Sequence, residues 1–297
     1  MPVPAAYLGI ILIWSTTPLT IQWSTQGANF AFAVLARMVI GLATAIVLLL
    51  GGRTRFPVHA RALSSYVVGG LGLFSSMALT YWSSRHVHSG LISVTFGLSP
   101  LMASILATFL LGEKAITPWK VLGMLLGVSG LGIIFLDGTS LGGAHSKAGL
   151  TVLLFAVFFY ATCLVWLKRI GDDSPPLATT VGSLGVATPL FAVLWLATSG
   201  EIPATIPWRS GLAIVYLGVF GSAIAFTMYY YVIKHLRATR IALITLITPV
   251  MALLLGNLLN GEHVTPNLGF GTALILLGLA VHQHESIRLP LRSRRLH

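Results

Sequence analysis

The chain has 297 residues, of which 56% are hydrophobic and 8% charged, with a formal net charge of +11. A soluble domain carries about 25% charged residues, so this chain has too few charges to cover a soluble fold of its length. Its single cysteine, Cys163, excludes an internal disulfide. Its basic residues fall singly or in small groups between apolar runs. That pattern belongs to membrane topology, not to a nucleic-acid-binding face.

A spanning helix needs about 20 mostly apolar residues. Ten stretches qualify and predict an all-α membrane protein. The first, residues 4–24, holds Trp14, Thr17 and Pro18. It lacks a basic leader and a small-residue cleavage site, so it is read as a helix and not a signal peptide. The second, 29–51, carries Arg37. At 1.5 Å per residue Arg37 lies roughly 12 Å below the outer boundary, near the midplane. The third, 62–84, holds Ser76 and ends near Tyr81 and Trp82. The fourth, 89–111, holds Thr95, Phe96, Ser99 and Pro100 and is followed by Glu113. The fifth, 119–136, is glycine-rich and follows Thr117-Pro118. The sixth, 148–167, holds Tyr160; the seventh is 176–198; the eighth, 210–232, ends in three tyrosines, 229–231. The ninth, 240–260, holds Thr245, Thr248 and Pro249, and the tenth is 265–284.

With the N-terminus inside, the inner links and tail carry Arg53, Arg55, Arg61, Lys114, Lys120, Lys168, Arg169, Lys234, Arg237, Arg240, Arg288, Arg292, Arg294 and Arg295, which is 14 cations. The outer links carry Arg85, Lys147 and Arg209, which is 3. Positive charge collects on the cytoplasmic side, so both termini are expected there.

Residues 97–113, GLSPLMASILATFLLGE, return as 246–262, LITPVMALLLGNLLNGE, 149 positions later. His86 aligns with His235, Pro100 with Pro249, Met102 with Met251, Gly112 with Gly261 and Glu113 with Glu262. After a one-residue slip Thr117-Pro118 aligns with Thr265-Pro266, Gly123 with Gly271 and Gly130 with Gly278. Five spans per half is an odd number, so the second half enters the membrane from the opposite side. The expected units are residues 1–140 and an inverted copy, 141–297, with a short basic tail. Inverted repeats are a common basis of alternating access in secondary transporters.

The repeated P-x(12)-E, Thr-Pro and glycine-rich helix, with LIWSTTPLTIQW at 12–23, resembles the EamA family of the drug/metabolite transporter superfamily over essentially the whole chain. Within it the chain is most similar to the YddG group of aromatic amino-acid exporters. The Trp14-Ser15-Thr16-Thr17-Pro18 stretch departs from the Trp-Gly-Ser-Asn-Phe usual in the family's first helix. The resemblance implies ten helices, the fifth and tenth as peripheral scaffold, a cavity lined by the others, and export from a bacterial inner membrane.

The residues themselves point to a central site. Pro18, Pro100 and Pro249 cannot donate to the carbonyls of Trp14, Phe96 and Thr245. Those carbonyls either accept from a substrate ammonium or simply mark kinks that shape the bundle. Trp14 and Tyr160 lie deep, away from the interfacial belt, whereas Tyr81, Trp82 and residues 229–231 read as belt anchors. Thr17, Ser76, Thr95, Ser99, Thr245 and Thr248 either orient a substrate or hydrogen-bond between helices. Arg37 costs about 2.5 to 3.5 kcal/mol at mid-membrane; it offsets this either with a substrate carboxylate or by tying its helix to a neighbour.

No Asp or Glu falls within a span, which argues against a proton-coupled multidrug pump and predicts transport without a proton gradient. Several cavity cations, wanted for sugar phosphates, are also lacking. The expected substrate is a neutral aromatic or other apolar amino acid; the alternatives are efflux of another metabolite or drug, or a channel-like facilitator. No enzyme, cofactor, metal site or nucleic-acid partner is expected, and a monomer in membrane lipid is.

Overall fold

The computed structural model describes residues 2–112, 117–137, 145–236 and 238–288. Among these, ten helical rods and no strand are present. They are α1 (Val3–Ser24), α2 (Phe30–Gly51), α3 (Ala60–Ser83), α4 (Ser89–Leu111), α5 (Pro118–Leu136), α6 (Ser146–Ile170), α7 (Pro176–Thr198), α8 (residues 208–235), α9 (Ala238–Asn260) and α10 (Pro266–Arg288). Nine are long and apolar enough to cross a membrane. The α10 sequence is polar at both ends, with Asn267 near its start and the run His282-Gln283-His284-Glu285 near its end, and these dilute its hydropathy. Large apolar side chains such as Leu12, Val47, Phe109, Val128 and Leu258 are exposed. So much apolar surface suits lipid and not water; the chain is a multi-pass helical membrane protein.

The rods begin and end where local chemistry dictates. Asn29 accepts from the Ala31 N–H at 2.9 Å and starts α2; Thr117 caps α5 through the Lys120 N–H, with Pro118 in the first turn. Gly112 and Gly261 follow α4 and α9, both at φ 63°. That left-handed conformation suits glycine and stops a helix.

Two rods are irregular. α4 breaks into Ser89–Phe96 and Ser99–Leu111, with Gly97 and Leu98 as turn residues just before Pro100. Its counterpart α9 runs continuously through Pro249. In α8 a wider π segment, Leu217–Ile224, joins Trp208–Tyr216 to Ala225–His235.

α5 packs along α10, α3 against α6 and α7, α2 against α7 and α8, and α1 against α8 and α9. The α5–α10 seam is built on glycines. A methyl on Gly123 would lie 2.5 Å from the Gly278 carbonyl oxygen, and one on Gly271 2.7 Å from that of Gly130. Small residues let helix backbones approach this closely. Glu262 marks one end of the bundle and Arg53 the opposite end. Glu113, Lys114, Arg237, the tail cations 292–295 and the boundary expected at 140/141 lie outside the described residues.

Candidate functional site: a central cavity closed at one end

Between α1, α2, α3, α4, α6, α8, α9 and α10 lies a cavity of about 440 Å³, within the range of about 300–1,000 Å³ usual for small-molecule sites. Trp14, Thr17 and Pro18 of α1 line it, as do Arg37 of α2 and Phe96, Ser99 and Pro100 of α4. Tyr160 of α6 and Thr245 and Thr248 of α9 complete the expected set that meets here. The α4 break lies on this wall: Phe96 ends the first segment, and Pro100 has no N–H to offer its carbonyl.

Three expected residues do not line this cavity. Thr95 is fully buried and donates to the Leu91 carbonyl at 2.7 Å, so its hydroxyl is spent on its own helix. Pro249 is buried and faces the α4 break; its Cγ lies 3.7 Å from where a methyl on Gly97 would sit. Ser76 faces a smaller side chamber.

Arg37 is 2% exposed. Its Nε donates to Ser222 Oγ at 2.9 Å and its Nη1 to the Tyr81 hydroxyl at 3.5 Å. Its Nη1 also lies 4.0 Å from Met77 Sδ. All three partners are neutral. The π segment of α8 carries Ser222 to this point, and α2 approaches closely because position 41 is glycine: a methyl there would lie 2.8 Å from Ser222 Cβ.

Several contributors were not read from the sequence. Tyr81 is fully buried beneath Arg37 and is no belt anchor. Tyr229 lines the cavity and packs its ring on Trp14 at 4.8 Å. The belt reading of both followed from their nearness to the ends of the predicted spans, and α8 is longer than its predicted span. The Phe96 and Tyr160 rings meet edge to face at 5.7 Å. His282 and Gln283 of α10 also line the cavity, so this helix is not only peripheral scaffold; their polarity within an apolar rod was the available signal.

The Glu262 end is tied across the bundle. Glu262 is 8% exposed, and its carboxylate accepts from the Ser89 N–H at 3.1 Å and the Gly90 N–H at 3.3 Å, the first turn of α4. Asn260 Nδ2 donates to the same carboxylate at 3.0 Å and to Gln22 Oε1 at 3.2 Å. Gln22 Nε2 donates to the Val87 carbonyl at 2.7 Å. Trp23 Nε1 donates to Asn260 Oδ1 at 3.1 Å, and the Arg209 guanidinium stacks on the Trp23 ring at 3.8 Å. Ile21, Thr80 and Ile92, each within a helical turn of Gln22, Ser84 or Gly90, line the cavity.

A multi-pass helical bundle around a central cavity of metabolite size has the build of a membrane carrier. The model of the EamA-like transporter family matches the chain twice, over residues 4–136 and 147–282. The chain belongs to that family and is a transporter of the EamA type within the drug/metabolite transporter superfamily, with a small-molecule substrate and a lipid environment. An uncharacterized transporter of Archaeoglobus fulgidus is 25% identical over 91% of this chain and 95% of its own. The inner membrane transporter YedA of Escherichia coli K12 is 26% identical over 89% and 85%. A probable terminal-alkyne amino-acid exporter of Streptantibioticus cattleyicolor is 25% identical over 93% and 92%. One solved crystal structure shares the fold, with a TM-score of 0.66 at 23% identity over 98% of this chain and 99% of that one.

Proposed function

We propose that this transporter exports neutral amino acids with aromatic or other apolar side chains across a bacterial inner membrane, by alternating access of two inverted five-helix halves with both termini cytoplasmic. The observation that carries this reading is Arg37, a buried cation on the cavity wall whose partners among the described residues, Ser222, Tyr81 and Met77, are all uncharged. A buried ionisable group in a membrane is by default a functional candidate. One cation in an otherwise largely apolar cavity suits a substrate carboxylate. The carbonyls of Trp14 and Phe96, to which Pro18 and Pro100 offer no N–H, and the Trp14 and Tyr160 ring faces suit its ammonium. The amino-acid exporter of Streptantibioticus cattleyicolor supports the substrate class.

The inverted repeat draws support from the glycine seam. Gly123 is the sequence counterpart of Gly271 and Gly130 of Gly278, while the contacts run crosswise, Gly123 to Gly278 and Gly130 to Gly271. Crossed contacts are what a two-fold axis between α5 and α10 produces. α1 also packs on α4, while among the described residues their counterparts α6 and α9 make no comparable packing. That asymmetry belongs to a carrier caught with one end shut. In this reading the shut end is the outer one, and the Glu262 network is its closed gate. The sequence counterpart of Glu262 is Glu113, outside the described residues.

The test is flux of a panel of labelled amino acids in proteoliposomes, with and without a pH gradient. Arg37→Gln should abolish amino-acid transport while the purified variant still binds the decarboxylated amine of the same side chain. Equal loss of both ligands in a folded variant, or unchanged amino-acid flux, refutes the anchoring role.

A further inference from the structure

We propose that the side chamber next to the central cavity receives the substrate's side chain, and that Ser76 and Ser183 hydrogen-bond its tip. The preferred substrates are then amino acids whose apolar side chain ends in a hydroxyl, a phenol above all. This rests on the reading of Arg37 as the carboxylate anchor.

The chamber, about 60 Å³, lies among α3, α6, α7 and α8. It is too small for a whole amino acid. Met77, Tyr160, Leu164, Phe226 and Tyr229 line both it and the central cavity. These five form an apolar and aromatic neck. Met77 is also the residue whose sulfur touches Arg37 Nη1 at 4.0 Å. A substrate held by its carboxylate at Arg37 thus has the neck beside it.

Beyond the neck the lining stays largely apolar, and the hydroxyls of Ser76, Thr180 and Ser183 interrupt it. Ser76 is fully buried and Ser183 is 9% exposed, and among the described residues neither hydroxyl has a hydrogen-bond partner. Serine and threonine in a helix commonly bond the carbonyl four residues back. Thr80 does so to Ser76 at 2.8 Å, and Thr180, on the same chamber wall, to Pro176 at 3.0 Å. Ser76 and Ser183 do not, and both face the same space. A buried hydroxyl left unpaired is costly, and a guest that supplies the missing bond recovers that cost. Among the described residues no charged side chain lines the chamber, so a charged tip would be stranded there, whereas a neutral hydroxyl both donates and accepts. Glycines keep the space: a methyl on Gly72 would strike Cys163, and one on Gly69 would strike Ser183.

The experiment measures how well tyrosine, phenylalanine and 4-methylphenylalanine compete with labelled tyrosine in proteoliposomes. The methyl analogue keeps the shape of tyrosine and lacks its hydroxyl. Tyrosine should compete about two- to tenfold better than this analogue. In Ser76→Ala/Ser183→Ala that advantage should vanish while phenylalanine competes as before. Each single variant should lose part of it, which covers the case of a double variant that does not fold. Ser76→Leu, which fills the chamber, should weaken both para-substituted substrates more than phenylalanine. No tyrosine advantage in the wild type, or an unchanged advantage in folded serine variants, overturns the proposal while leaving amino-acid transport standing. A wild type that moves no amino acid overturns both.

Discussion

Replacing Glu262 with Gln tests the closed gate. The native carboxylate accepts three hydrogen bonds, from the Ser89 and Gly90 N–H groups at 3.1 and 3.3 Å and from Asn260 Nδ2 at 3.0 Å. Glutamine keeps the shape but loses the charge, and its amide nitrogen would oppose donors already on α4. At most part of the network survives. A hydrogen bond to a charged group contributes about 1.5–3 kcal/mol, and an anion at a helix N-terminus about 0.3–1 kcal/mol. A net loss of about 2–3 kcal/mol follows, shifting the balance toward opening at this end by about 30- to 150-fold. The reporter is Thr80→Cys, on the cavity wall beneath the network, with the single native cysteine removed as Cys163→Ala. A membrane-impermeant maleimide applied from the Glu262 side should label it slowly with Glu262 present. In Glu262→Gln labelling should be faster by up to that factor, capped once the open state predominates, and Glu262→Asp should fall between. Equal labelling rates in folded Glu262 and Gln forms would refute the gate.

Trp14→Ala and Tyr160→Ala should each weaken flux of aromatic substrates by about 2- to 30-fold, from ring–cation energies of about 0.5–2 kcal/mol, with protein levels changing less; normal flux in both would place the site elsewhere. Gly130→Ala sets a methyl against the Gly271 carbonyl and 2.9 Å from Ile275 Cγ1, and should lower the melting temperature in detergent by the equivalent of about 1–3 kcal/mol. His86, in the α3–α4 link, is held below its usual pKa of 6.5 by burial first, then by Arg85 and His145. The unfolded chain therefore binds the proton more tightly, so the stability from neutral His86 is complete above 6.5 and is lost as pH falls through the lower folded value. Melting curves should show that acid-side loss shrinking in His86→Asn. A C-terminal reporter fusion should be active only as a cytoplasmic one; a periplasmic signal would reverse the topology.

Length and apolarity along the chain were enough to find the spans, because a bilayer demands a fixed run of apolar residues wherever the helix later packs. The recurring motif was equally legible, and with it the aligned glycines Gly123/Gly271, Gly130/Gly278 and Gly112/Gly261 and the isolated Arg37; that the first four meet crosswise and the last two stop helices came only from the structure. What a span turns inward was not legible. A helix among lipid tails is apolar on every side, so the periodicity that marks a buried face in water is absent. Thr95 and Thr248 therefore read alike, yet the first is spent within its helix and the second lines the cavity. Tyr81 and Tyr229 read as belt anchors because both lie toward the ends of their predicted spans, yet the first is buried against Arg37 and the second lines the cavity. Arg37 announced that it needed partners, but Ser222 stands 185 residues away on an irregular turn of α8. Glu262 read as a span end, yet its carboxylate closes on the start of α4, 173 residues back. Such pairings depend on how rods of similar apolarity rotate and stack, which small residues and irregular turns decide only once the helices meet.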